Sequence, residues 1–278
     1  MPDRIAYLPL NTYPEAAPDP AVLAAVQFAN GLGCGLQATT FAVDIPPVVS
    51  PMGGFVIGVE GLARAAEDQS RAECARLRGV VEQAASAELG AAVTSRRDMF
   101  GSGYHAAVTE ARHFDMALLP WSADALWMQD MAQALVFGSG VPVILVPAAT
   151  PAEPLEHVAI GWDESRVAAR ALSDALHLLP AGGRVSVLTV QGDKVLGGSG
   201  IAQTMAASLQ ARGYDAKAVD VALSGRTIAK ALQDAAMTEG AQLLAIGGFG
   251  HSRLRDFILG GATKGVLADL QLPVLLAH

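Results

Sequence analysis

The chain has 278 residues, 51% apolar and 17% charged, with a formal net charge of −8. This composition excludes a disordered chain and predicts a substantial buried core. The acidic balance argues against a nucleic-acid partner held by a general electrostatic footprint.

Aromatic residues make up only 5%. The apolar mass is Ala, Val and Leu, which suits helices packed on a parallel sheet. Cys34 and Cys74 have no metal-like spacing. A reducing cytoplasm is therefore the simplest setting, and no metal site is expected. The N-terminus has no apolar signal-peptide core. The longest apolar stretch, Ala134 to Ala149, is interrupted by Gly138, Ser139, Gly140 and Pro142. It falls short of the roughly 20 residues that span a bilayer, so no membrane partner is expected.

The first half opens with an apolar strand at Ile5–Leu8, followed by a helix at Ala21–Ala29. The cluster Gly31-Leu32-Gly33-Cys34-Gly35 reads as a helix stop. Leu36–Val43 is a second strand. The segment 45–61 holds Pro46, Pro47, Pro51, Gly53 and Gly54 and reads as an inserted loop. A long helix follows from Leu62 to Leu89, with Cys74, Leu77, Val81 and Ala84 on one stripe. Ala91–Ser95, Met116–Leu119 and Val141–Val146 read as strands. The Pro-rich segment 147–154 suits a linker.

The second half repeats the order. Val158–Gly161 is a strand, and Val167–Leu179 carries the one-face spacing of an amphipathic helix, ended by Pro180. Val185–Val190 is a strand. Ile201, Met205 and Leu209 mark a helix, Ala218–Val221 a strand, and Ile228, Leu232 and Ala235 a further helix. Leu243–Ile246 is a strand, Gly261–Leu270 a last helix and Pro273–Leu276 a last strand. The alternation predicts α/β architecture in two tandem copies, 1–148 and 155–278. Each would be a five-stranded parallel sheet sandwiched by helices, with the two sheets packed together. Intramolecular pairing of the two copies is expected, and a homodimer is an open alternative.

Glycines follow the strand Leu243–Ile246 and precede a predicted helix: Gly247, Gly248, Gly250, Gly260 and Gly261. Glycine permits close backbone approach, and a helix start offers unpaired N–H groups, so the segment is either a phosphate site or a tight strand-to-helix turn. Thr263 and Lys264 would add a hydroxyl and a positive charge. His251, Arg253, Arg255 and Asp256 lie between the glycines, as triphosphate contacts or as a solvated loop. Neither the G-x-x-x-x-G-K-[ST] nor the G-x-G-x-x-G motif occurs after a first strand.

The spacing of Gly247, Gly250 and Gly260 resembles the G-x2-G-x9-G signature of the universal stress proteins. So do the closing Leu272-Pro273-Val274-Leu275-Leu276 and the opening Val158-Ala159-Ile160-Gly161-Trp162-Asp163-Glu164-Ser165. The resemblance implies a Rossmann-like, adenine-nucleotide-hydrolase-like fold, with ATP as the ligand, with or without Mg²⁺. Asp163 would lie beside the adenosine, or serve as a cap or turn residue of the following helix. Val190 would line the adenine pocket. Gly247, Gly250, Gly260 and Gly261 would cradle the phosphates, with Thr263 standing in for the hydroxyl that Gly261 replaces.

The first half departs from that pattern. Leu10 falls where Asp163 would be, Pro120 where Gly247 would be and Ala123 where Gly250 would be. This half is expected to be a structural partner, or to hold an apolar pocket formed with Trp121, Trp127, Met128 and the inserted loop. The leading functional expectation is a regulatory or protective nucleotide binder with slow turnover or none. The alternatives are a pure interaction module and an enzyme cutting ATP at the α-phosphate.

Overall fold

A computed structural model describes residues 2–46, 59–99, 103–122, 125–191, 200–247 and 270–278. In chain order, the first half contains β1 (Ile5–Asn11), α1 (Asp19–Gly31), β2 (Gly35–Asp44), α2 (Val59–Ala84), β3 (Ala91–Met99), α3 (Gly103–Ala111), β4 (Met116–Trp121), α4 (Leu126–Gly138) and β5 (Val143–Pro147). The second contains β6 (His157–Gly161), α5 (Arg166–Leu178), β7 (Arg184–Gln191), α6 (Ile201–Ala211), β8 (Asp215–Ala222), α7 (Ile228–Thr238), β9 (Leu243–Gly247) and β10 (Val274–Ala277). The predicted helix at Gly261–Leu270 lies, up to residue 269, outside the described residues.

The strands run β3-β2-β1-β4-β5-β10-β9-β6-β7-β8. Each half therefore has the same order, with its first strand central and its fifth at the inner edge. The pairs within a half are parallel, whereas β5 and β10 pair antiparallel, Ile144 opposite Leu275. This corrects the expectation of two packed sheets. The halves share one ten-stranded sheet, because edge-to-edge pairing satisfies the backbone groups that each fifth strand would otherwise expose. Ile144, Leu145, Val274 and Leu275 are fully buried along this seam.

The helix stripes bury as their spacing predicts. In α2, Leu77 and Val81 are fully buried and Cys74 nearly so. That helix begins at Val59 and ends at Ala84, so the predicted inserted loop loses its last residues to it, and residues 47–58 lie outside the described residues. Gly33 has a positive φ of 67° just past α1. This confirms the helix stop, since a left-handed residue closes a helix at little cost only when it is glycine. The stretch Gly103–Ala111 forms α3, which the sequence reading did not mark. Trp121, Trp127 and Met128 are buried in the core, so they serve packing there.

Two contacts tie the halves together beyond the seam. Arg4 donates one guanidinium N–H to the carbonyl of Leu32, 3.2 Å away, and another to the carbonyl of His177. These carbonyls end α1 and α5, where a cation opposes the negative end of each helix dipole. Gly31 lies directly beneath the linker carbonyl of Glu153, leaving no room for a Cβ.

His157, at the start of β6, is buried, with Nε2 2.9 Å from Ser186 Oγ. Burial lowers its pKa below the usual histidine value, helped by Arg184 and Lys217 and opposed by Glu239. A depressed folded-state pKa means that the contribution is complete above the unfolded value of about 6.5 and is lost as pH falls below it. Urea unfolding should show stability dropping between about pH 7 and pH 5, and His157→Gln should flatten that drop.

Candidate functional site

In each half, the chain winds outward from its first strand, then crosses back to its fourth. The reversal in the second half falls between β6 and β9, where a ligand binds beyond the carboxyl ends of the strands in folds of this kind. The ladder pairs Ile160 with Ala245 and Gly161 with Leu188. Asp163 therefore follows the end of β6, Gly247 ends β9, and Val190 lies near the end of β7. Three of the residues singled out in the sequence thus lie at the carboxyl ends of neighbouring strands, two of them bordering the reversal point. Gly250, Gly260, Gly261 and Thr263, with His251, Arg253, Arg255 and Asp256, lie outside the described residues.

Asp163 Oδ1 accepts the backbone N–H of Ser165 at 3.0 Å. Ser165 in turn is the N-cap of α5, accepting the Ala168 N–H at 3.2 Å. Of the two local roles considered for Asp163, the structure shows the turn, and the cap belongs to Ser165. The run Asp163-Glu164-Ser165 ahead of an amphipathic helix was the signal for that cap. The tight turn forces Glu164 to a φ of +62°. A left-handed conformation costs a residue with a Cβ roughly 1–2 kcal/mol. Glu164→Gly should therefore raise the unfolding free energy by up to about 1 kcal/mol, once glycine's extra unfolded-state entropy is deducted. Thermal melts would measure this.

Gly247 has a packing role that glycine content alone did not reveal. A Cβ there would stand 2.6 Å from the Val167 carbonyl carbon and 2.7 Å from the Ala168 nitrogen. The glycine thus lets the first turn of α5 settle against the end of β9. Gly161 is similarly confined, with a Cβ position 2.9 Å from Ile246 Cγ2. Val190 is half-buried.

The first half carries the same frame with different contents. Ala6 pairs with Met116 as Val158 pairs with Leu243. Ile5 pairs with Gly35 as His157 pairs with Arg184. These registers equate Asn11, not Leu10, with Asp163, which corrects the sequence alignment by one residue. They equate Pro120 with Gly247, as expected, and also Pro9 with Gly161 and Phe41 with Val190. Two prolines thus face the reversal point where the second half has two glycines. Phe41 is buried at the position of the half-buried Val190.

A side-chain network also covers that end of the first half. The Thr12 hydroxyl lies 2.5 Å from the Phe41 carbonyl and 2.6 Å from Ser70 Oγ. Ser70 Oγ accepts the Val43 N–H at 2.9 Å, and Glu67 accepts the Ile45 N–H at 3.0 Å. Ser70 and Glu67 belong to α2, which is 26 residues long against 11 for α6. The longer helix thus reaches over the end of β2 and pins it.

Residues 154–278 match the family model described as the universal stress protein family. No curated protein sequence matches the chain. Among solved structures, a universal stress protein from Archaeoglobus fulgidus DSM 4304 aligns with a TM-score of 0.62 at 14% identity, over 98% of this chain and 95% of that one. A putative universal stress protein from Pseudomonas aeruginosa UCBPP-PA14 gives 0.49 at 14% identity, over 99% and 92%. A universal stress protein in complex with cAMP gives 0.30 at 17% identity, over 44% and 97%. The first of these structures carries the fold assignment for the full two-half arrangement. The lower scores of the other two add nothing to it.

Proposed function

Since residues 154–278 are a universal stress protein domain and the first half repeats their strand order, we propose that the chain is a regulatory or protective binder of one adenine nucleotide. The site is the reversal point of the second half. The observation that supports this most is the contrast at that point: Gly161 and Gly247 in the second half, Pro9 and Pro120 at the same ladder positions in the first. Asp163 and Val190 flank the same point and would face the nucleoside. Gly250, Gly260, Gly261 and Thr263 would supply backbone donors and a hydroxyl to the phosphates. Bound Mg²⁺ would neutralise phosphate charge.

The residues around the reversal point suit binding better than turnover. Asp163 already accepts the Ser165 N–H, which makes it a positioned acceptor, while general-base catalysis calls for a group poised to take a proton. Hydrolysis is accordingly slow or absent in this reading. The protein should be purified and denatured, and released nucleotide sought by mass spectrometry. ATP, ADP and AMP should then be titrated with and without Mg²⁺. Micromolar to submillimolar binding, lost in Gly250→Val, is the expected outcome. No heat at millimolar ATP would leave the interaction-module reading in its place. AMP formation with a second substrate would favour the enzyme.

A further inference from the structure

α4 starts beyond the carboxyl end of β4, beside the reversal point of the first half, where β1 and β4 pair. Trp127 is the second residue of α4 and 6% exposed. Its ring packs in the core, but its buried Nε1–H has no hydrogen-bond partner among the described residues. A buried donor without an acceptor is costly and calls for an explanation. Helical side chains lean toward the N-terminus and cover the turn before their own Cα. The Trp127 indole therefore lies over the start of α4.

A second donor there is poorly served. The Ser122 N–H, one residue past β4, meets Met128 Sδ at 3.2 Å, and a thioether is a weak acceptor. Ala125, the N-cap residue of α4, offers no side-chain acceptor to the first turn, whose leading N–H groups lack intrahelical partners. No described carboxylate is bonded to the Trp127 or Ser122 donor. Trp121, Ala125 and Met128 add buried apolar surface. Surplus donors at a helix start, set in apolar surroundings, suit an anion with an apolar body. One carboxylate has two acceptor oxygens for them. A triphosphate needs close backbone approach along glycines, and no glycine lies between Gly103 and Gly138.

We propose that the start of α4 binds a small monocarboxylate with an apolar tail, held by the Trp127 Nε1–H, the Ser122 N–H and the first turn of the helix. Met128 Sδ gives up the Ser122 N–H to the carboxylate, and its flexible thioether makes the room. The test uses the full-length protein, isotope-labelled at the tryptophan indole nitrogens, which gives one magnetic-resonance signal for each of three tryptophans. Trp127→Phe assigns the Trp127 signal. Butyrate, butyramide and butylamine share one tail and are titrated against matched sodium chloride. Butyrate should move the Trp127 signal downfield and saturate at millimolar concentration. Butyramide should bind more weakly, and butylamine should leave the signal in place. Trp127→Phe should lower butyrate affinity about tenfold by calorimetry, as expected for one hydrogen bond to a charged group. The wild-type titration stands without that variant. An unmoved Trp127 signal with butyrate would overturn the proposal, as would equal movement with butylamine or with chloride alone. ATP should move the signal of Trp162, next to Asp163, and leave Trp127 in place, so the two sites can fail separately. Movement of Trp127 by ATP would give the α4 site to the nucleotide and contradict the proposal.

Discussion

Gly247→Val is expected to lower the unfolding free energy by about 1–3 kcal/mol, the usual range for overpacking, and to abolish nucleotide binding. The contacts a Cβ would meet belong to the backbone of Val167 and Ala168 as well as to a side chain. A flexible side chain could swing aside, but a helix backbone moves only as a unit. Displacing the first turn of α5 would carry with it the Ser165 cap and the Asp163 turn. Structure and site should therefore fail together, as urea unfolding and ATP titration would show. Gly79 provides the control. It sits inside α2 with nothing within 4 Å of its Cβ position. Gly79→Ala should stabilise by about 0.5–1 kcal/mol through helix propensity and leave binding intact.

Ile144→Ala should cost about 2–5 kcal/mol, as large-to-small changes at fully buried positions do. Ile144 is fully buried, pairs with Leu118 on one side and faces Leu275 across the antiparallel seam on the other. The seam has only three rungs, Val143 to Leu145 against Leu276 to Val274. Its side chains therefore carry much of the joint between the halves. Wild-type protein should unfold in one transition, and Ile144→Ala should lower the midpoint or split it in two. An unchanged midpoint in urea would show that the halves do not depend on the seam.

The strand–helix alternation was legible because helix stripes such as Leu77 and Val81 repeat at the helical period and bury as that period requires. The register was not. Strands buried on both faces, such as β1 and β6, read as continuous apolar runs with no alternation to fix them. The match of the first half to the second therefore slipped by one residue, to Leu10 in place of Asn11. The Phe41 equivalence and the Pro9–Gly161 contrast emerge only from the ladders. The Thr12–Ser70 contact joins residues far apart in the chain, and no local pattern announces it. The same holds for the β5–β10 pairing. The positions of Asp163, Val190 and Gly247 at the carboxyl ends of β6, β7 and β9 were legible, because the apolar strands preceding them could be read from the sequence. The need for Gly247 to admit α5 was not, because it depends on where a helix packs.

The first half repeats the fold with different residues at the matching strand ends. Prolines replace glycines, Phe41 replaces Val190, and α2 pins the end of β2. Its contribution is the other half of a continuous sheet and the clamp that Arg4 forms on two helix ends.

The most direct measurement is the stoichiometry of ATP binding to the full chain by isothermal titration calorimetry, repeated on Asp163→Ala. One nucleotide per chain, with clearly weaker binding in the variant, is the predicted result. Two per chain would contradict the reading that the first half holds no nucleotide, and a value of zero would contradict the nucleotide site itself.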